Sequence, residues 1–221
     1  METRKKVISI KKETIIISFS ILIFELAVVA ASFFLGTKSM QQNNQQVESA
    51  SDHHQGQPVS DGKFNSLLGQ KAPNFTLNSY DDEKVSLSEI KGKKVVLFFT
   101  EGVMCYPACW NQIAAFGKDD AFKGDDTAVL TIVIDTKNQW ESAVKKMPDL
   151  VSPTNKVLFD SSKSVSNEYG VLSLPSSMHK GQYPGHTYLI LDKEGIVRFI
   201  KDDPQMAVRN DELKAELEKL N

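Results

Sequence analysis

Cysteine is scarce in this chain: 221 residues hold two. Two are too few for the disulfide framework that holds small secreted domains together, and a chain of this length buries enough core to need none. Excess charge is lacking too. A formal net charge of −2 excludes the electrostatic footprint of a nucleic-acid binder, so no nucleic-acid partner is expected. No internal repeat is visible, which excludes a repeat architecture. What remains is one stretch, VVLFFTEGVMCYPACWNQIAAF (95–116), which carries both cysteines, Cys105 and Cys109, separated by Tyr-Pro-Ala.

Ionisable groups are also missing from residues 14–36, TIIISFSILIFELAVVAASFFLG, apart from Glu25. At about 1.5 Å per residue such a run spans the roughly 30 Å hydrocarbon core of a bilayer. Arg4, Lys5, Lys6, Lys11 and Lys12 precede it, whereas Lys38 alone is charged between it and Glu48. That asymmetry predicts a cytoplasmic tail over 1–13, a transmembrane signal anchor over 14–36, and the remaining chain on the extracytoplasmic face. Val29-Ala30-Ala31 resembles a cleavage site, but the apolar run continues through Phe33, Phe34 and Leu35, which favours an uncleaved anchor. Glu25 inside the span is costly, and is expected either to be protonated or to sit at a self-association or partner contact. Residues 37–63, with QQNNQQ, His53 and His54, have little to bury and are expected to form a flexible tether.

From Phe64 to Asn221 the pattern is that of one domain. PNFTLNS and KVSLSEI read as a strand pair joined by the turn SYDDE. KKVVLFFTE (93–101) and TAVLTIVID (127–135) are continuous apolar runs of strand length, the mark of central strands buried on both faces. VLFD (157–160), HTYLILD (186–192) and IVRFIK (196–201) supply further strands, the last two as a hairpin around DKEG. Helices are predicted from Cys105 to Phe116, closed by Gly117; from Asn138 to Lys146; from Ser164 to Tyr169; and over NDELKAELEKL, with Leu213, Leu217 and Leu220 as its buried stripe. Alternating strands and helices define an α/β fold with a mixed central sheet.

Cys105 therefore falls where the chain leaves a central strand and begins a helix. Reacting groups gather at the carboxyl ends of strands in such folds, and free N–H groups at a helix N-terminus favour a thiolate. Pro107 is tolerated in a first turn, where its missing N–H has no helical partner. Cys105, at the exposed end, is the expected attacking thiolate, with Cys109 one turn in as the resolving thiol. Side chains at i and i+4 of a regular helix lie about 5–6 Å apart, farther than a disulfide allows, so a bond requires Cys105 just outside the regular helix or a local distortion. Closing so short a loop adds little stability, which argues against a purely structural staple. Trp110 is expected to pack over the first turn. Glu101 is either a proton-relay carboxylate or a surface group, with the surface preferred.

The residues GQKAPNFTL, VSLSEIKGKKVVLFF, NEYGV (167–171) and PGHTYLILDKEGIVRFI resemble the redoxin (AhpC/TSA) branch of the thioredoxin-like superfamily. The resemblance implies a thioredoxin-like fold and a thiol–disulfide oxidoreductase of the peroxiredoxin-like kind, without a cofactor. Its partners would be a protein disulfide or thiol and a membrane or extracytoplasmic electron carrier. The site departs from the family pattern. Gly102 stands where peroxiredoxins carry a threonine three residues before the reactive cysteine, although Thr100 is near, and this predicts weak peroxidase activity. Pro184, before Gly185-His186-Thr187, lies one position from where thioredoxins place a cis-proline facing the dithiol. The three-residue gap also resembles Sco-type copper-assembly proteins, which bind copper through two such cysteines and a histidine. On that alternative Cys105, Cys109 and His186 are copper ligands, with His179 in reserve; a non-metal His186 that tunes a thiolate is the favoured reading.

Overall fold

The computed structural model describes residues 61–220. The expected anchor with Glu25 and the tether with His53 and His54 lie outside them. Among the described residues no helix is long and apolar enough to cross a membrane.

A short helix α1 (Asp61–Asn65) opens the domain, so Asp61, Gly62 and Lys63, expected in the tether, belong to the folded part. Phe64 is buried, and Lys63 Nζ donates to the Asn167 carbonyl. Seven strands follow: β1 (Thr76–Ser79), β2 (Lys84–Ser86), β3 (Lys94–Phe99), β4 (Thr127–Val133), β5 (Asn155–Phe159), β6 (Thr187–Leu191) and β7 (Val197–Asp202). They form one mixed sheet in the order β2-β1-β5-β4-β3-β6-β7. The pairs β3/β4 and β4/β5 are parallel; the others are antiparallel. Between them run α2 (Ala108–Lys118), α3 (Lys137–Lys146) and α4 (Ser164–Glu168), and α5 (Asn210–Glu218) closes the chain.

Alternation along β3 explains its unbroken apolar run. Val95, Leu97 and Phe99 enter a core with Phe64, Leu130, Ile132, Tyr169 and Leu189. Val96 and Phe98 enter the opposite core with Trp110, Phe116, Trp140, Tyr188 and Leu213. A strand covered on both faces has no polar side to show in its sequence.

Both ends of α2 differ from expectation. The regular helix begins at Ala108, leaving Cys105 and Pro107 ahead of it, and it continues through Gly117 to Lys118. Gly117 does not cap the helix. A Cβ on it would lie 2.8 Å from Ser152 Cβ, so the residue is small because the 152 loop packs against it.

Candidate functional site

The end of β3 sets the site. Phe99 pairs with Thr187 in the antiparallel β3/β6 register, which puts His186 level with the point where the chain leaves β3. Thr100 is fully buried; its N–H donates to the Ile132 carbonyl and its Oγ1 accepts from Gly102 N–H at 3.3 Å. A 3-10 turn (Gly102–Met104) then carries the chain to Cys105, and Trp110 Nε1 closes over it by donating to the Gly102 carbonyl at 3.2 Å.

Gly102 has φ of +64°, and a Cβ there would sit 1.7 Å from Asp135 Oδ2. That carboxylate comes from the end of the neighbouring strand β4 and accepts the Val103 N–H at 3.0 Å. The turn before the cysteines thus has no room for a Cβ at position 102, a threonine's included.

Asp135 is almost fully buried, and burial pushes its pKa up to about 6 against the hydrogen bond from Val103. A carboxyl whose folded pKa exceeds its unfolded one binds more protons when folded, so its contribution to stability falls as pH rises from about 4 to about 6. Asp135→Asn, which keeps an acceptor for Val103, is expected to be more stable than the parent at about pH 7 by on the order of 1–2 kcal/mol. The gain should shrink below about pH 5. Denaturant unfolding of both chains at the two pH values measures the difference; a pH-independent difference would contradict it.

Cys105 and Cys109 are joined by a disulfide, with Cα atoms 5.4 Å apart. Cys105 lies outside the regular helix, and its carbonyl accepts the Cys109 N–H at 3.0 Å. Its expected exposure is not found: Cys105 is 3% exposed and Cys109 is fully buried. Met206, in the connection between β7 and α5, places Sδ 4.0 Å from Cys105 Sγ, a cover that no local pattern around the cysteines announces. The Tyr106–Pro107 peptide between the cysteines is cis. Pro184 is buried and its peptide is not among the cis bonds of the described residues.

His186 Nδ1 stands 3.4 Å from Cys109 Sγ, and its Nε2 lies 2.6 Å from the Tyr188 hydroxyl. Burial lowers its pKa to about 4; Asp203 and a hydrogen bond to the Ala207 backbone pull it up, and Arg209 pulls it down. Asp203 and Arg209 are themselves a bidentate pair at 2.7 and 2.8 Å. Burial opposes the charge on Asp203, but hydrogen bonds from Arg209 and the Ala207 N–H hold it below the ordinary carboxylate range. The neutral imidazole is therefore the resident form. Ligand atoms of Cys105, Cys109 and His186 all lie within 4.8 Å of one another.

Two expected site residues belong elsewhere. Glu101 is not a surface group. It is fully buried, and its Oε1 accepts the N–H groups of Met178 and His179 at 2.6 and 3.2 Å, pinning the 177–179 loop. His179 Nδ1 lies 3.3 Å from Glu101 Oε2 and is not one of the residues grouped around the sulfurs. Residues missed from sequence are Tyr188, Gln112, Asn210, Met206 and Asp135. Tyr188 shares a strand face with His186, two residues on. Gln112 is a polar residue on the buried face of α2, one turn past Cys109. Those two positions carried the available signal.

A buried, bonded cysteine pair at the carboxyl end of a central strand, with a neutral imidazole on one sulfur, defines a thiol-based oxidoreductase on a thioredoxin-like sheet. A family model described as the AhpC/TSA family matches residues 68–200, and the chain belongs to that family. It is 33% identical over 132 residues to the thioredoxin-like protein YneN of Bacillus subtilis, covering 60% of this chain and 69% of that one. It is 35% identical over 135 residues to chloroplastic peroxiredoxin Q of Triticum aestivum, covering 60% of this chain and 57% of the relative. Among solved structures, reduced 2-Cys peroxiredoxin of Plasmodium vivax superposes with a TM-score of 0.56 at 25% identity, over 67% of this chain and 78% of that one.

Proposed function

We propose that this protein is a membrane-tethered, extracytoplasmic thiol–disulfide oxidoreductase in which Cys105 attacks a substrate disulfide and Cys109 resolves it. The observation that carries the reading is the Cys105–Cys109 bond at the end of β3. In the reducing direction the Cys105 thiolate attacks one substrate sulfur and the other leaves as a thiolate. Cys109 then attacks Cys105 Sγ, releasing the second substrate sulfur reduced and leaving the protein pair oxidised. As a membrane anchor, residues 14–36 would hold the domain outside the cytoplasm, so the pair would be re-reduced by a membrane or extracytoplasmic electron carrier. The Gly102 turn supports a weak peroxidase at most.

A second reading draws on the sulfur–imidazole grouping. Two thiolates and a bare imidazole nitrogen suit a soft cation such as Cu(I), which the reduced pair would bind without forming a bond between the sulfurs. The two readings separate in one experiment on the full chain. Reduced protein is presented with oxidised glutathione, with hydrogen peroxide, and anaerobically with Cu(I) against a chelator. Exchange with glutathione that outpaces peroxide consumption and is lost in Cys105→Ser supports the oxidoreductase. Tight one-to-one Cu(I) binding that disappears in His186→Ala, without such exchange, would overturn it.

A further inference from the structure

The hydrogen bonds behind His186 have a direction that can be read from one end to the other. Asn210 Nδ2 lies 3.1 Å from the Ala115 carbonyl and 3.1 Å from Asp119 Oδ2, two groups that only accept, so its amide can point one way. Asn210 Oδ1 is then the acceptor for Gln112 Nε2 at 2.9 Å. This turns Gln112 Oε1 toward the Arg209 backbone N–H at 2.7 Å, which only donates and so fixes the same orientation independently. The Tyr188 hydroxyl, 3.0 Å from Gln112 Oε1, must give its single proton to that oxygen. Its other neighbouring acceptor, the Ala207 carbonyl, is farther away at 3.5 Å and would consume the proton in the same direction. The Tyr188 oxygen therefore accepts from His186 Nε2–H across 2.6 Å. A neutral imidazole with its proton on Nε2 has a lone pair on Nδ1, and Nδ1 is the atom that faces Cys109 Sγ at 3.4 Å.

We propose that Asn210, Gln112 and Tyr188 are positioning residues that hold His186 as the Nε2–H tautomer, making Nδ1 the base that serves Cys109. The proposal rests on the oxidoreductase reading above. In the reduced protein Cys109 Sγ–H donates to Nδ1. When a substrate sulfur is bound to Cys105, the Cys109 proton moves to Nδ1 as Cys109 Sγ attacks Cys105 Sγ. The Cys105–substrate S–S bond breaks, and the substrate sulfur leaves with the electron pair and takes a proton from water. His186 returns its proton to water. One substrate sulfur is reduced, and the two protein sulfurs end as a disulfide. All four residues of the chain are at most 9% exposed, so water does not compete for these bonds.

The test has two parts. Long-range nitrogen–proton NMR of imidazole-labelled, oxidised full chain reports the tautomer directly. The wild type should show a protonated Nε2 and a bare Nδ1 at His186, and Tyr188→Phe should lose that bias. In parallel, Cys105 is converted to its mixed disulfide with thionitrobenzoate, and intramolecular release of the coloured thiolate is timed. Tyr188→Phe and His186→Phe should slow release at least about ten-fold. Formation of the mixed disulfide is timed separately in a Cys109→Ser background, so that a slower release is not mistaken for a slower first step. A wild-type His186 carrying its proton on Nδ1 overturns the proposal and requires no variant to fold. So does an unchanged release rate in a folded Tyr188→Phe. Failure of Cys105 to form a mixed disulfide in any background instead sinks the oxidoreductase reading itself.

Discussion

Cys109→Ser should convert the protein from a turnover catalyst into a trap. With Cys105 as the attacking thiol, the variant still forms a mixed disulfide with a substrate but has no sulfur with which to release it. Covalent adducts should accumulate in non-reducing gels and vanish on reduction, while Cys105→Ser should form none. Loss of turnover in either variant is expected to be near complete, because each removes a bond-forming atom. The asymmetry between the two is the informative part. Equal trapping by both would mean that the roles are shared, and trapping only in Cys105→Ser would reverse them. Cys105 is 3% exposed and covered by Met206, so trapping also requires that cover to move.

Gly102→Ala should be the most damaging single-methyl change in the site. The residue has φ of +64°, and the new Cβ would meet Asp135 Oδ2 at 1.7 Å. Left-handed strain at a non-glycine residue costs about 1–3 kcal/mol, and the clash adds to it unless the carboxylate leaves the Val103 N–H. Stability should fall by on the order of 2–4 kcal/mol in denaturant unfolding. The double variant Gly102→Ala/Asp135→Ala should regain part of this by removing the clash while keeping the strain. If Gly102→Ala is neutral, the turn is not constrained as described. The same packing opposes an attempt to create a peroxidase with Gly102→Thr: the larger side chain should unfold the turn before it can assist peroxide.

The sheet was legible because its signals are local. The unbroken run over 93–101 encodes one strand, the hairpin around DKEG two, and the stripe of Leu213 and Leu217 a helix, each within a residue or two of its expected bounds. The cysteine pair was equally plain, and disulfide geometry alone left two choices, Cys105 outside the regular helix or a distorted helix, of which the first is found. The surroundings of the pair were harder to read, since they depend on contacts between distant segments. Cys109 and His186 are 77 residues apart, and Met206 reaches Cys105 across 101. Glu101 looked superficial because a strand-end glutamate usually is; the amides that bury it come from a loop 77 and 78 residues downstream. Gly102 looked like a missing threonine until Asp135 filled the space above it.

The most direct test of the central claim, that Cys105–Cys109 is a working redox bond, is an equilibrium titration of the full chain with dithiothreitol couples of graded potential. Alkylation followed by mass analysis counts free thiols at each point, and circular dichroism follows the fold. A redox function predicts that both thiols appear together in one reversible two-electron transition while the fold persists. A pair that stays bonded until the chain unfolds would contradict it and leave the cysteines a structural staple.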